Sequence, residues 1–256
     1  MNNNKTAKEL LLNARGQLVG RYGQAILVTV VMIALTVLFS VFANYTYTGT
    51  LGTYLFRILI TTIIDLLLGV LNFGMFRYFL NLVRGTKDLS PAELFHGVRN
   101  CTDKAICLEI VFAVASLITQ IPTIYVLFFT TLNERETLVA AYLIRIFSLV
   151  VAFTVNMFFG MCFFVLSDKP ELSVMEILAE SNRLMKGRRL KYFILFLRVL
   201  PGMILGMFAF GIGVLWPMVL YYTALANFYL DAIGEEPYNP LLQQEPEEPT
   251  NSQLLT

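Results

Sequence analysis

Histidine is almost missing from this sequence, and His96 is the single example. Without a second histidine the chain has no HExxH zinc motif, and it also lacks a GxSxG nucleophile motif and a phosphate-binding loop. The cysteines Cys101, Cys107 and Cys162 form no CxxC pair, so we expect them to be free thiols. These absences argue against an enzyme, and we expect neither catalytic residues nor a metal or cofactor.

Charged residues are also scarce. They make up 14% of the 256 residues, whereas hydrophobic residues make up 57%. Soluble domains usually have about 25% charged residues. The polar start MNNNKTAKEL lacks the basic and apolar regions of a secretory signal, so we expect the first apolar segment to remain in the mature protein. This composition predicts an all-helical protein that crosses a membrane several times.

The apolar residues fall into six stretches. A helix needs roughly 20 residues to cross the hydrocarbon core of a bilayer. The six stretches are Gln24–Asn44, Thr53–Tyr78, Ala105–Phe129, Leu138–Leu166, Tyr192–Phe210 and Val214–Leu230. The third and fourth are long, so we expect tilting or a kink, for which Pro122 is a candidate site. The last two form one apolar run, which we expect to break at Gly211–Gly213 because glycine accepts the backbone angles of a tight turn.

The basic residues are unevenly distributed, and this predicts an orientation. Of the 19 lysines and arginines, 15 lie in the N-terminal segment and in the second and fourth connections between stretches. The positive-inside rule therefore places both termini and these connections in the cytosol of a bacterial cell. We expect six of these residues to anchor helix ends against anionic lipid headgroups. They are Arg21, Arg99, Lys186, Arg188, Arg189 and Lys191.

A join of leucine, glycine and arginine before a membrane stretch occurs three times. A capping-box pattern, which marks the start of a helix, precedes each join. The capping pairs are Thr6/Glu9, Ser90/Glu93 and Ser173/Glu176, and the glycines are Gly20, Gly97 and Gly187. We interpret these as three repeat units, residues 6–85, 90–168 and 173–234, each with a short interfacial helix followed by a parallel membrane hairpin. The alternative is that basic and aromatic residues simply mark any cytosolic helix end.

The ends of the hairpins also resemble one another. Tyr78–Asn81 is similar to Phe228–Asp231, and Phe163–Val165 is a looser copy. Aromatic residues at the end of a membrane helix are typical of the lipid–water interface. We therefore expect these side chains to lie at that interface.

Two segments carry a resemblance to a known family. LVGRYGQAIL near the start and FGIGVLWPMVLYYTALANFYLDAIG near the end are similar to a bacterial family catalogued as domain of unknown function 975. The resemblance covers roughly residues 6 to 234. This chain departs from the family pattern in having Pro217 directly after Trp216, because proline is expected farther along the segment. It implies an integral membrane protein of uncertain role and brings no catalytic residues with it.

Small and polar residues form stripes along one face of the second, third and fourth membrane helices. Polar groups are costly in hydrocarbon, so they usually face protein or water. The candidate polar seam consists of Asp65, Asn72, Glu109, Gln120, Arg145 and Asn156. The same stripes would also suit dry packing between helices. From their depths we expect Asp65 to pair with Arg145, with Arg57 as the competing partner, and Glu109 to pair with Arg198.

The last 22 residues differ from the rest. EEPYNPLLQQEPEEPTNSQLLT has five glutamates, four prolines and no basic residue. We expect residues 1–234 to form one transmembrane domain and residues 235–256 to be a disordered acidic tail. A partner-docking motif at residues 238–242 is the alternative.

Three functions remain open at this point. The first is a non-enzymatic membrane scaffold or accessory subunit of a bacterial transport, export or envelope-stress system. The second is a transporter or channel for a small solute or lipid that uses the polar seam. The third is a membrane-embedded lipid-modifying enzyme. We expect membrane lipids as partners, together with an unidentified membrane protein, and no nucleic acid.

The orientation can be tested with cysteines introduced into a cysteine-free variant. An impermeant thiol reagent added to intact cells should label Thr48→Cys and Asn133→Cys, because the positive-inside rule places both outside. The same reagent should label Asn182→Cys only after the cells are opened. Labelling of Asn182→Cys alone in intact cells would reverse the predicted orientation.

Overall fold

The computed structural model describes residues 5–45, 49–86, 89–95, 97–98, 101–131, 133–209 and 211–238. Within these ranges the backbone forms nine α-helices and two short 3₁₀ helices, and no strand. The α-helices are α1 (Ala7–Leu18), α2 (Tyr22–Tyr45), α3 (Leu51–Val83), α4 (Thr102–Phe129), α5 (Glu134–Phe159), α6 (Cys162–Asp168), α7 (Val174–Met185), α8 (Arg189–Phe208) and α9 (Leu215–Ile233). The prediction of an all-helical protein is confirmed.

Six helical segments in the described residues are long and apolar enough to cross a membrane. Four of them are α2, α3, α4 and α8, and the last combines the 3₁₀ helix Ile212–Val214 with α9. The remaining one, Glu134–Asp168, combines α5 and α6, which are separated at Gly160 and Met161. The number of membrane stretches predicted from the sequence is confirmed, and the fourth stretch is interrupted near its end. In contrast, α4 continues as a helix through Pro122.

The long apolar run at the end of the chain breaks where its glycines predict. Helix α8 ends at Phe208, Gly211 has a left-handed backbone with φ 77°, and α9 begins at Leu215. A Cβ atom on Gly206 would lie 2.5 Å from the carbonyl carbon of Gly213, so the two segments approach at their backbones. The turn therefore needs glycine both for its backbone angle and for this close contact.

The short helices α1 and α7 have matching ends. Both contain 12 residues and begin with a complete capping box, at Thr6/Glu9 and at Ser173/Glu176. Both are followed by a left-handed glycine, with φ 76° at Gly20 and φ 77° at Gly187. L-amino acids with a side chain are strained in this conformation, so each glycine is fitted to redirect the chain into the next helix.

The corresponding middle segment has a different structure. Pro91–Phe95 is a 3₁₀ helix, and the carboxylate of Glu93 binds Arg77 at 2.9 Å rather than capping the segment. The segment packs directly on α3, because a Cβ atom on Gly74 would collide with the carbonyl oxygen of Leu94. Close packing on α3 thus accompanies a 3₁₀ helix here, whereas α1 and α7 are regular α-helices.

Three aromatic segments form the centre of the hydrophobic core. The described core residues include all of Tyr78–Leu80, Phe163–Val165 and Phe228–Leu230, each at most 5% exposed. Phe164 stacks on Tyr229 with ring centroids 5.3 Å apart. The burial of these aromatic side chains shows contact with protein, and their position at the lipid–water interface stays a prediction. They pack against one another because three helix ends converge at this point.

This convergence defines one end of the bundle. We call it the basic end, because Arg84, Arg188, Arg189 and Lys191 bind protein groups there. Here α1 packs on α9, and α7 packs on α5 and α6. Helix α3 is central, since it contacts α2, α4, α6 and α9. Farther along, α4 packs on both α3 and α5; α5 has no buried residue, and the buried residues of α4 are Ala105 and Leu108. The outer halves of α4 and α5 therefore project from the core.

An arginine links three segments at the basic end. Both terminal nitrogens of Arg84 bind the Asp168 carboxylate, at 2.6 and 3.0 Å, and Arg84 also binds Glu235 through two hydrogen bonds of 2.8 and 2.6 Å. Tyr229 donates a hydrogen bond of 2.9 Å to Asp168. The hydrogen bonds that Arg84 donates to Glu235 raise the pKa of Arg84 against the opposing effect of burial. The end of α3, the end of α6 and the segment after α9 are thus held together.

The residues directly after α9 continue along this surface. Tyr238 donates its backbone N–H to the Val83 carbonyl at 2.9 Å, and its own carbonyl accepts a hydrogen bond of 2.9 Å from Gln17. Gln17 and Asn227 also exchange two side-chain hydrogen bonds, at 3.1 and 2.7 Å. The first four residues of the predicted tail, Glu235–Tyr238, are therefore part of the folded domain. The rest of that predicted tail, residues 239–256, lies outside the described residues.

A matched pair of glycines tests the left-handed turn. A Cβ atom added to Gly16 or to Gly20 would meet no heavy atom within 4 Å, so space does not distinguish the two positions. Gly20→Ala should destabilise the protein by about 1–2 kcal/mol because φ is 76°. Gly16→Ala should stabilise it by up to about 1 kcal/mol because Gly16 lies inside α1. Thermal unfolding in detergent measures both changes, and equal effects would contradict the assignment.

The Arg84 network also predicts a stability difference. Arg84→Gln leaves the half-buried carboxylate of Asp168 without its guanidinium partner, so we expect a loss of about 1–3 kcal/mol in the free energy of unfolding. Arg183→Gln is the control, because Arg183 binds Glu180 on an open surface with 73% of its side chain exposed. The control should leave the melting temperature unchanged. An Arg84→Gln variant that melts like the control would contradict the linking role.

Candidate functional site

The structure distributes the predicted polar seam over three separate places. Gln120, Arg145 and Asn156 line one cavity between α4 and α5. Asp65 and Glu109 lie on neighbouring faces of α3 and α4. Asn72 lines a different cavity between α2, α3 and α9. These cavities thus separate Gln120, Arg145 and Asn156 from Asn72, and neither is lined by Asp65 or Glu109.

The cavity between α4 and α5 has a volume of about 410 Å³. Three more of its lining residues, Ser116, Thr119 and Ser148, carry hydroxyl groups. The periodic spacing of small and polar residues along α4 and α5 places these residues on facing surfaces of the two helices. We call this cavity, together with its extension toward Thr137, the α4–α5 crevice. The extension has a volume of about 240 Å³ and shares Thr119, Gln120, Arg145 and Ser148 with the first part.

Individual hydrogen bonds set the chemistry of the crevice. The Tyr54 hydroxyl donates to Gln120 Oε1 at 3.1 Å, and the amide nitrogen of Asn156 donates to the Ala152 carbonyl at 2.9 Å. Ser148 donates to the carbonyl of Ile144 at 2.9 Å. Arg145 is exposed and forms no hydrogen bond or ion pair with any described residue. The crevice therefore presents the guanidinium of Arg145 and the amide N–H groups of Gln120, to which no described protein group is hydrogen-bonded.

A charge at this position is costly in a membrane. Arg145 lies 11 residues after the start of α5 at Glu134, or ~16 Å along the helix at ~1.5 Å per residue. Insertion of a lone arginine at the centre of a membrane helix costs about 2.5–3.5 kcal/mol on biological scales. An arginine without a protein partner at this depth therefore requires water, a ligand or the lipid interface as its partner.

Asp65 and Glu109 form a separate group of carboxylates. A Cβ atom on Gly69 would lie 2.6 Å from Glu109 Cγ, so the absence of a side chain at Gly69 allows Glu109 to approach α3. Asp65 precedes Gly69 by one turn on the same face of α3. Glu109 Oε2 is buried and has no hydrogen-bond partner among the described residues.

The two predicted ion pairs are not formed. Asp65 does not bind Arg145, and Glu109 does not bind Arg198; in the described part of the chain neither pair is joined by an ion pair or hydrogen bond. Helix α3 packs on α4 beside Glu109, whereas Arg145 lines the crevice between α4 and α5. Similar depth along two helices was therefore insufficient, because it does not specify which faces of the helices meet.

Asn72 faces a smaller cavity of about 200 Å³. Its neighbours there include Thr29 and Thr36 of α2 and Tyr222 of α9. Thr29 and Thr36 donate their hydroxyls to carbonyls of their own helix, at 2.9 Å in both cases. The cavity is lined mostly by apolar side chains, which suits helix packing better than binding of a polar ligand.

Three of the six predicted lipid anchors bind protein groups. Lys191 forms an ion pair of 2.6 Å with Asp231, which also accepts a hydrogen bond of 3.0 Å from the backbone of Lys5. Arg188 donates to the backbone carbonyl of Asp231 at 3.1 Å. Arg189 donates to Asn182 at 2.7 Å. These three cations therefore hold the helices of the basic end together.

The remaining three anchors differ among themselves. Lys186 is exposed, so it can reach a lipid headgroup. The guanidinium of Arg21 lies 6.0 Å from the ring centre of Tyr238, and its Nη1 atom is buried without a hydrogen bond among the described residues. Arg99 lies outside the described residues, as does His96.

Sequence reasoning missed the acidic partners of the basic end. Asp168, Asp231 and Glu235 each follow a buried aromatic segment and each bind a cation. The sequence did indicate these partners, because a carboxylate that follows an apolar stretch must bind a partner or water. Within the described residues no group of three or more His, Cys, Asp or Glu side chains is placed to hold a metal ion.

Comparison with known proteins gives a family and no function. No curated protein and no solved structure matches the chain. A family profile described as "Protein of unknown function (DUF975)" matches residues 1–235. The match extends from the N-terminal segment to Glu235, which binds Arg84 at the basic end. Since it covers most of the 256 residues, the chain belongs to the DUF975 family.

Proposed function

We propose that this chain is a multi-pass protein of the bacterial cell membrane, with its basic end and both termini in the cytosol. Six apolar helical segments support membrane insertion. The predominance of lysine and arginine at the basic end supports the orientation. In this arrangement Lys186 faces anionic lipid, whereas Arg188, Arg189 and Lys191 stabilise the cytosolic end of the bundle.

We also propose that the three units are structural repeats, each inserted in the same direction. Helices α1 and α7 have the same length, the same capping box and the same type of glycine turn. The three aromatic segments that end the units meet in one core. Parallel repeats about an axis along the membrane normal would bring equivalent helix ends together in this way.

The function that the geometry supports best is non-enzymatic binding or passage of a small polar solute or lipid. The observation that carries it is the α4–α5 crevice, which brings Gln120, Arg145 and Asn156 around a volume of about 410 Å³. Ligand pockets in proteins usually measure about 300–1,000 Å³. A seam used only for helix packing would be closed by small residues in contact.

A membrane scaffold is the second candidate. It is favoured by the outer halves of α4 and α5, where exposed apolar residues such as Tyr142, Leu143 and Ile146 are 58–70% exposed. Lipid would cover these faces in a monomer, and a helix of another membrane protein would cover them in a complex. In that case the crevice would be filled by the partner.

Water access to the crevice distinguishes the two candidates. In a variant without native cysteines, Ser148→Cys should react with a water-soluble thiol reagent in membranes, because the thiolate needed for reaction forms in water. Ile146→Cys is the control, since Ile146 is 58% exposed and lines neither part of the crevice. We expect Ser148→Cys to react on the order of tenfold faster or more.

Slow reaction of Ser148→Cys would contradict the binding function. If both cysteines react slowly in purified protein as well as in membranes, the crevice is dry and the binding function is wrong. If Ser148→Cys reacts only after purification, a membrane partner occupies the crevice, and the scaffold becomes the preferred function.

A further inference from the structure

The two parts of the α4–α5 crevice form one path. Both are lined by Arg145 and Gln120; one part extends to Asn156 and the other to Thr137. Thr137 and Asn156 are 19 residues apart on α5, or ~28 Å at ~1.5 Å per residue. The hydrocarbon core of a bilayer is about 30 Å thick. Polar groups therefore line a path across most of that thickness.

The charge of this path is entirely positive. Arg145 is the single ionisable side chain among the residues that line either part, and it lies near the middle of the path. The carboxylates of Asp65 and Glu109, which belong to the predicted polar seam, line neither part. A ligand in the crevice therefore meets an arginine whose charge no lining carboxylate neutralises.

The hydrogen-bonding groups favour an anion with several oxygens. Gln120 receives a hydrogen bond from Tyr54 at its Oε1 atom, which leaves its amide nitrogen to donate beside Arg145. The planar guanidinium of arginine matches phosphate, to which it can donate two parallel hydrogen bonds. Arg145 and Gln120 together thus supply donors suited to a phosphate group.

The surroundings of the crevice favour a lipid over a free anion. Leu127 and Leu149 line its walls and are 50% and 60% exposed. Leu143 and Ile146, on neighbouring turns of α5, are also exposed. A free phosphate would contact none of this apolar surface. A lipid would place its headgroup among the polar residues and its acyl chains against the leucines and isoleucine.

We propose that the α4–α5 crevice binds the phosphate-bearing headgroup of a membrane lipid. Arg145 binds the phosphate, Gln120 donates a further hydrogen bond, and the acyl chains lie on the exposed apolar faces of α4 and α5. This proposal rests on the binding function proposed above and names its ligand class. Because the polar path extends along most of α5, the same crevice offers a route for the headgroup between the two leaflets.

The test measures lipid retained by the full-length protein in native mass spectrometry after incubation with phosphatidylglycerol. Arg145→Gln should reduce retention by on the order of tenfold or more, because it removes charge-assisted hydrogen bonds to the phosphate. Arg145→Lys should retain part of the binding. Arg198→Gln is the matched control, because Arg198 is also exposed and unpaired in the described structure but lines neither part of the crevice. It should bind lipid like the unmodified protein.

Two further ligands separate the possible sources of the phosphate. Diacylglycerol has the acyl chains without phosphate and should be retained poorly by every variant. Glycerol 3-phosphate has the phosphate without acyl chains and should not displace the lipid at equal concentration. Efficient displacement by glycerol 3-phosphate would overturn the lipid proposal in favour of a soluble anion.

The control variant and the accessibility of Ser148→Cys also test the lipid proposal. Equal lipid retention by Arg145→Gln and Arg198→Gln would overturn the proposal, because the guanidinium in the crevice would then contribute no more to lipid binding than one outside it. If Ser148→Cys is nevertheless accessible to water, the binding function stands and only the ligand class is wrong. If Ser148→Cys is inaccessible both in membranes and in purified protein, both proposals fail together.

Discussion

The fold depends on the packing of aromatic side chains where three membrane segments end. Tyr78–Leu80, Phe163–Val165 and Phe228–Leu230 are buried against one another. Lipid tails are as apolar as these side chains, so transfer from water does not explain their association within the hydrocarbon. Where the three segments end, however, charged side chains lie at a partly exposed surface, and burial of large rings away from water is favourable. Close packing of rings then brings together the helices that carry them.

The ion pairs at the basic end follow from this convergence. Three chain segments meet there, and their carboxylates and cations come within hydrogen-bonding distance at a half-buried surface. Arg84 binds Asp168 and Glu235, and Lys191 binds Asp231. Pairing matters here because an unpaired charge at a half-buried position loses hydration without compensation. The aromatic core and the ion pairs thus stabilise the same end of the bundle, while the outer halves of α4 and α5 have little buried contact.

Local features of the fold could be predicted from the sequence, and contacts between helix faces could not. The turn at Gly211 and the capping boxes at Thr6 and Ser173 depend on neighbouring residues, so their patterns are specific. The depth of Asp65 and Arg145 could be estimated from helix rise, but their pairing also required the rotation of each helix about its axis. Aromatic residues at the end of an apolar helix are typical of an interface, and their burial in a common core could not be predicted because it requires the convergence of three helix ends.

Sequence reasoning was more informative about the crevice than about the ion pairs. The stripes on α4 and α5 repeat every three or four residues, and two adjacent helices with such stripes expose them to each other when the connection is short. Gln120, Arg145 and Asn156 therefore came together, whereas Asp65 and Asn72 on α3 faced different neighbours. Cations at the basic end, such as Arg84 and Lys191, are neutralised within the protein. Arg145 lines the crevice without an ion-pair partner among the described residues, and this difference supports the proposal that the crevice binds a ligand while the basic end stabilises the fold.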